Sequence, residues 1–389
     1  MADYTRMTRT PQLAQLVSEL LARPSVSSEN VPFDMPNEAV IDLLASWLDD
    51  LGFDCERMPV PDRPGKFNLI AVRGRGPGGL VLAGHSDTVP FDEHGWHSDP
   101  FKLSERDGNW YGLGVCDMKG FLALAVETAA EFADRELRQP LIILATADEE
   151  STMDGAKALA AAGRPKARYA VIGEPTGLKP VRMHKGILMD SIHIHGKTGH
   201  SSRPDLGANA IDGLHDVLRA LSAYREALKS RRGSARGFAL DHPTLNLGSV
   251  QGGDSANRIP GHVELQIDMR FPPGFEIEAL RAEARAEASA GLRTPGCRLE
   301  FSNLMDGVPA FQTPETSELV RVCEELTGHP AGVVDFATEG GFFNQLGLDT
   351  VILGPGDIEV AHQQNEYLPL DRIEPMRRTL RRLVERFCL

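Results

Sequence analysis

Cysteine is scarce and scattered. Cys55, Cys116, Cys297, Cys323 and Cys388 form no C-x-x-C pair, which excludes a thiolate zinc site of the usual spacing, argues against a disulfide framework and fits a reducing compartment. Basic residues are in deficit: 41 Lys and Arg stand against 55 Asp and Glu, a formal net charge of −14. Nucleic acid and anionic membrane surfaces, which need clustered cations, are therefore not expected as partners. No apolar stretch reaches the about 18 residues of a membrane span. The N-terminus, MADYTRMTRTPQLAQLVSELL, lacks the apolar core and small-residue cleavage site of a secretory leader. These absences lead us to expect a cytoplasmic protein whose partners are small molecules or metal ions. The chain has no internal repeat and no low-complexity tract, and 389 residues at 41% hydrophobic and 25% charged suffice for two cores.

The first third shows helical apolar spacing over Leu13 to Leu21, Ala39 to Leu51 and Gly120 to Ala133, and short apolar runs suited to buried strands at Asn68 to Val72, Leu80 to Ala83 and Leu141 to Ala145. Alternating strands and helices imply an α/β sheet that binds its ligands beyond the carboxyl ends of the strands. From Gly186 the pattern changes. Strands are predicted at Ile187 to His195, Thr244 to Val250, His262 to Arg270 and Arg298 to Phe301, with helices at Asn209 to Ser230 and Glu276 to Ala290. That β-α-β-β-α-β order is ferredoxin-like. The helix and strand texture resumes through Glu318 to Leu326, Val333 to Phe336 and Val351 to Leu353. The expected architecture is thus a mixed-sheet α/β domain over 1–185 and 304–389, interrupted by a ferredoxin-like α+β domain over 186–303. The loop-like segment is Arg231 to Asp241.

Acids and histidines recur where strands end. After Leu80 to Ala83 comes Gly84-His85-Ser86-Asp87-Thr88, in which two residues spaced by one on extended backbone face the same way. Asp87 could then hold one imidazole nitrogen while the other binds a metal, the alternative being a polar turn. Asp117 sits in the Gly-rich loop Gly112 to Gly120 ahead of a helix. Lys119 there raises a phosphate cradle as an alternative, but the Walker spacing is absent. Asp148-Glu149-Glu150 and Gly173-Glu174 each follow an apolar strand, and a Gly/Pro loop delivers His362. Two imidazoles and three carboxylates without a thiolate suit two Zn2+, Co2+ or Mn2+ ions sharing a bridging carboxylate. His193 and His195 alternate on a predicted strand and are read as an exposed strand face.

The motifs VLAGHSDTVP, YGLGVCDMKGF, TADEE, IGEPTGLKPVRMHKG, GKTGHSS, GGDSANRIP and LGPGDIEVAHQQNEYLPL, spread from residue 81 to 370, together resemble the M20 metallopeptidase family. The resemblance implies a dinuclear amidohydrolase, zinc being the first choice of metal and cobalt or manganese the alternatives. His85, Asp117 and Glu174 would bind one ion, and Asp117, Glu150 and His362 the other. Asp87 would orient His85, and Glu149 would be the proton shuttle. It further implies that the inserted domain is a lid and a homodimerisation surface. His200 would meet the developing oxyanion in a neighbouring active site, and Asn257 and Arg258 would clamp the substrate. Glu339 would contact the substrate side chain; the familiar pattern has a Pro shortly after this Glu, where Gly340-Gly341 stands here. The implied substrate is an N-acyl amino acid, N2-acetyl-L-ornithine first, giving L-ornithine and acetate in arginine biosynthesis. Acetylcitrulline, succinyl-diaminopimelate, aminoacylase and dipeptidase substrates are the alternatives. A non-catalytic binding homologue would be expected to lack a ligand or the base, and none is missing.

Overall fold

The computed structural model describes residues 12–234 and 236–389. Residues 1–11 of the N-terminal stretch and Ala235 of the loop-like segment lie outside the described residues. The chain forms two compact units. The larger comprises the chain up to Arg182 with Thr313–Gly332 and Thr338–Leu389; the smaller comprises Met183–Gln312 with Val333–Ala337.

In chain order the helices are α1 (Leu13–Leu21), α2 (Glu38–Asp50), α3 (Lys119–Glu131), α4 (Asp154–Ala162), α5 (Ala210–Leu228), α6 (Ile277–Gly291), α7 (Glu318–Thr327), α8 (Gly340–Gln345) and α9 (Ile373–Cys388). The principal strands are β1 (Asp54–Pro59), β2 (Phe67–Arg73), β3 (Leu80–His85), β4 (Leu141–Thr146), β5 (Tyr169–Ile172), β6 (Val181–His184), β7 (Gly186–His195), β8 (Thr244–Gly252), β9 (His262–Phe271), β10 (Arg298–Val308) and β11 (Asp349–Ile352).

The larger unit is built on a mixed sheet ordered β1-β2-β4-β3-β5-β11-β6. β3 and β4 are buried at every position, which is why they read as continuous apolar runs rather than as alternation. β4, β3, β5 and β11 run parallel, so their carboxyl ends open on one edge. Register aligns those ends: His85 lies opposite Thr146, and Ala83 opposite Ile172, placing Glu174, two residues on, level with His85. Helix α3 packs on β3 and against α1, α2 and α9. Helix α9 buries Ile373, Met376, Leu380, Leu383, Val384 and Phe387, a stripe at helical spacing beneath an Arg-rich outer face. Among the described residues, no helix is long and apolar enough to cross a membrane.

The smaller unit has a four-stranded antiparallel sheet ordered β8-β9-β7-β10, with α5 and α6 packed on it. Leu188, Ile192 and Ile194 of β7 and Val263, Leu265 and Ile267 of β9 join Leu214, Val217, Leu221, Leu280 and Ala284 in one core, the outcome of strict alternation along β9. The expected boundaries move: the first from 185 to Arg182, the second from 303 to Gln312, and a third at Val333–Ala337. β10 runs well past Phe301 and still pairs with β7 at Val308, so residue 303 falls inside a strand and the smaller unit continues to Gln312. Val333–Ala337, expected in the sheet domain, groups with the smaller unit, although the strand Gly332–Val334 that begins it pairs with β6 of the mixed sheet, as expected. There Lys185 pairs with Asp335 at 2.7 Å, and Val333 packs on Met183 and Phe238.

One residue breaks the alternation of β7. Asp190, between Leu188 and Ile192, takes a helix-facing position with its side chain 2% exposed; Arg281 (2.9 Å) and Arg285 (2.7 Å) of α6 neutralise it. Removing one partner of a buried ion pair strands the other. Asp190→Ala should therefore destabilise this unit by roughly 3–5 kcal/mol, read as an earlier transition in chemical denaturation.

Candidate metal centre

The parallel strands deliver side chains to one edge from separate segments. His85 is the last residue of β3, Glu149 and Glu150 follow β4, Glu174 follows β5, and the loop after β11 brings His362. Asp117 arrives from the loop ahead of α3. Gly173 precedes Glu174 because a Cβ there would stand 1.9 Å from the Phe121 ring of α3.

Asp117 lies at the middle. Its Oδ1 is 3.0 Å from His85 Nε2 and its Oδ2 is 3.3 Å from His362 Nε2, so one carboxylate presents an oxygen to each imidazole. Glu150 approaches His362 Nε2 at 2.9 Å, and Glu174 approaches His85 Nε2 at 3.8 Å. The donor atoms of His85, Asp117 and Glu150 lie within 4.8 Å of one another, as do those of His85, Glu149 and Glu174. Thus the expected ligands converge, and Glu149 converges with them. Glu149 and Glu150 stand in a turn rather than on extended backbone; they diverge because the chain bends after Ala147, Glu150 going to His362 and Glu149 to the His85 side.

The orientation of His85 differs from expectation. Its Nδ1 lies 3.0 Å from the main-chain carbonyl of Asp87 and 3.7 Å from the carboxylate, because the strand stops at His85 and the chain turns. A carbonyl only accepts, so Nδ1 carries the proton and Nε2 faces Asp117 as a potential ligand. The Asp87 carboxylate accepts instead from the Glu150 amide at 3.1 Å, which steers a second candidate ligand.

The electrostatics call for cations. Burial, followed by the charges of neighbouring acids, pushes Glu149 and Glu174 well above the usual carboxylate range and raises Glu150 as well. Burial works the same way on Asp117, but hydrogen bonds from His362 and His85 outweigh it and hold that carboxyl low. Those same bonds to Asp117 and Glu150 lift His362 to about 10. Among the described residues no Lys or Arg pairs with Asp87, Asp117, Glu149, Glu150 or Glu174, and one buried oxygen each of Asp87 and Glu174 has no hydrogen-bond partner. Buried charge without a partner is costly. Oxygen and imidazole donors around a shared carboxylate therefore fit a pair of divalent ions.

Other candidates fall elsewhere. Glu339, at the start of α8, is fully buried beside Thr146, and burial pushes its carboxyl up to about 7; its charge is among those that raise Glu149. His200, Asn257 and Arg258 belong to the smaller unit, where His200 and Arg258 face each other across a short antiparallel pairing. There His200 Nδ1 accepts from the Ser202 hydroxyl at 2.8 Å, and Arg258 pairs with Asp254 at 2.6 Å. His193 and His195 share their sheet face with His262, and their neighbours are Ser302 and Glu300. Lys119 cradles no phosphate. It is 1% exposed and donates to the Arg23 and Leu20 carbonyls, closing the end of α1.

Two supports went unread in the sequence. Asp148, with φ of 58°, accepts from buried Lys66 at 2.6 Å and from Ser27 at 2.9 Å, while its carbonyl takes the Met153 amide at 2.7 Å. It therefore shapes the turn that carries Glu149 and Glu150. Glu366, inside a quoted motif, reaches the loop of Asp117. The signal for both was an acid in a strand-end motif with no ligand role.

Residues 81–386 match the model of peptidase family M20/M25/M40. An acetylornithine deacetylase of Proteus mirabilis is 44% identical over 384 residues, covering 98% of each chain; one of Erwinia tasmaniensis is 45% identical, covering 98% of this chain and 99% of its own. Among solved structures, an M20 family metallo-carboxypeptidase of Sulfolobus solfataricus superposes with a TM-score of 0.75 at 18% identity, covering 97% of this chain and 99% of its own. A dinuclear metal binding peptidase of the M20 family from Bacillus subtilis gives 0.64 at 18% identity, covering 95% of this chain and 96% of its own. With its two-unit α/β fold and its match over most of its length, the chain belongs to peptidase family M20/M25/M40.

Proposed function

We propose that this protein is a dinuclear metal amidohydrolase that cleaves N2-acetyl-L-ornithine to L-ornithine and acetate, in the cytoplasm and in arginine biosynthesis. The observation that carries the reaction class is Asp117 with one oxygen toward each imidazole. The substrate rests on the relatives named acetylornithine deacetylase at 44–45% identity. In this reading His85, Asp117 and Glu174 hold one ion, and Asp117, Glu150 and His362 the other, zinc being the first choice. Ions bound there would polarise an amide carbonyl and lower the pKa of a shared water.

The chain's own groups supply the rest. Glu149 takes the proton of the attacking water and returns it to the leaving amine, a task suited to a carboxylate whose oxygen lies within 4.8 Å of the donor atoms of His85 and Glu174. His200 donates to the developing oxyanion of a neighbouring active site. Arg258, helped by Asn257, binds the substrate carboxylate, for which a planar guanidinium is the fitting donor. Glu339 offers a negative charge to the δ-ammonium. We also propose that the protein is a homodimer joined through the smaller unit. β8 is an edge strand of that sheet, and Val250 on it and Ile211 on α5 are 52% and 47% exposed, apolar groups that pairing with a second copy would cover.

Glu149 and Glu150 should fail differently. Glu149→Gln should retain both ions by elemental analysis while kcat falls roughly 100- to 10,000-fold; activity near wild type would remove Glu149 from the mechanism. Glu150→Ala should lose one of the two ions. On a panel of N-acyl amino acids, kcat/KM should be highest for acetylornithine, and Glu339→Gln should narrow its lead over acetylmethionine. A preference for succinyl-diaminopimelate would overturn the substrate and leave the metal chemistry standing.

A further inference from the structure

Between Gly112 and Asp117 the chain makes no helix or strand, yet its amides are not left without acceptors. The Leu113 amide donates to the Pro100 carbonyl at 2.8 Å and Val115 to the Gly112 carbonyl at 3.1 Å. The other four donate to a single residue. Gly112 donates to the carbonyl of Glu366 at 3.3 Å, Gly114 to its Oε2 at 2.9 Å, and Cys116 and Asp117 to its Oε1 at 2.7 and 3.0 Å. Glu366 is 2% exposed. An acid buried so deeply is tolerated because convergent amides replace its water, and its carboxylate stands in for the neighbouring strand that this loop lacks.

The placement goes beyond loop repair. Glu366 lies four residues after His362, so one segment reaches Asp117 twice: the His362 imidazole meets the Asp117 carboxylate at 3.3 Å, and the Glu366 carboxylate holds the Asp117 amide at 3.0 Å. The short strand Tyr367–Pro369 then pairs with Asn109–Tyr111 on the other side of the same loop. Asp117 can share its two oxygens between two imidazoles when its backbone is held against the His362 segment, and Glu366 is the contact to the Asp117 amide itself, beside the Cys116 thiol on the Asp357 carbonyl at 3.5 Å. Groups that orient ligands in this way change metal affinity about 10- to 100-fold when removed.

We infer that Glu366 is a positioning residue for the metal centre: by binding the amides of Gly114, Cys116 and Asp117, it sets the bridging carboxylate against His362. The inference rests on the proposed two-ion centre. It is tested with Glu366→Gln, which keeps the size and one acceptor oxygen but turns an amide group toward donors, and with Glu366→Ala. The measurements are ion affinity by chelator competition, the visible spectrum of the Co2+-loaded protein, the melting temperature of the metal-free protein, and kcat and KM. For Glu366→Gln we expect the more weakly held ion to bind at least about tenfold less tightly. The Co2+ bands should shift and kcat should fall with KM little changed, while the metal-free protein melts within a few degrees of wild type. Should Glu366→Ala fail to fold, Glu366→Gln carries the test. Wild-type affinity and an unchanged spectrum in Glu366→Gln would sink the inference. So would a fall in metal-free melting temperature that accounts for the lost affinity, since Glu366 would then be a fold anchor only. A wild-type protein that takes up fewer than two ions would overturn the centre itself, an outcome visible before any variant is made.

Discussion

Mutual repulsion among buried carboxylates is the constraint around which the larger unit is organised. Asp87, Asp117, Glu149, Glu150 and Glu174 crowd against two imidazoles, and His85, Asp87, Asp117 and Glu174 are at most 5% exposed. In a low-dielectric site such charges raise one another's pKa values and strain the fold unless cations are shared among them. Asp117 resolves part of this by facing both imidazoles, and it is the one acid held low. The same crowding that calls for cations pushes Glu149 above its usual range as long as none is bound.

Holding the acids in place falls to groups that are not themselves candidate ligands. Lys66 neutralises Asp148 and Asp34 together, at 2.6 and 2.7 Å, which pins the turn after β4. The Asp87 carbonyl sets the His85 tautomer, and its carboxylate holds the Glu150 amide. Glu366 collects the amides of the Asp117 loop. Apart from the Asp87 carbonyl, whose partner His85 is two residues away, each is a buried polar group whose partner lies far away in sequence, and together they turn strand-end loops into a fixed frame.

The smaller unit follows a different logic. Its strand β9 obeys simple alternation, apolar toward α5 and α6 and polar on the other face, and the acid Asp190 on the helix-facing side of β7 is balanced by two arginines from α6. Strand order there was legible because period-2 patterning and turn residues are local signals. The extent of β10 was not, because past Phe301 its pairing with β7 depends on hydrogen bonds across the sheet rather than on a pattern in its own residues. The placement of Val333–Ala337 was hidden for the same reason: an ion pair and a small apolar cluster decide it, both between residues distant in the chain.

The sequence by itself determined the element types, the two-unit α/β architecture and the set of His, Asp and Glu residues at strand ends. These follow from periodicity and from motifs whose residues lie next to one another. Only the tertiary structure decided that Asp87 steers His85 through its carbonyl, that Lys119 is a structural clamp, that Asp148 answers Lys66 and that Glu366 holds the Asp117 loop. Those outcomes depend on distances between segments such as Asp34, Lys66 and Asp148, or Asp117, His362 and Glu366. A linear sequence carries the chemical type of each group, but the direction in which it points is set by sheet register and by the loops that parallel strands bring to a common edge.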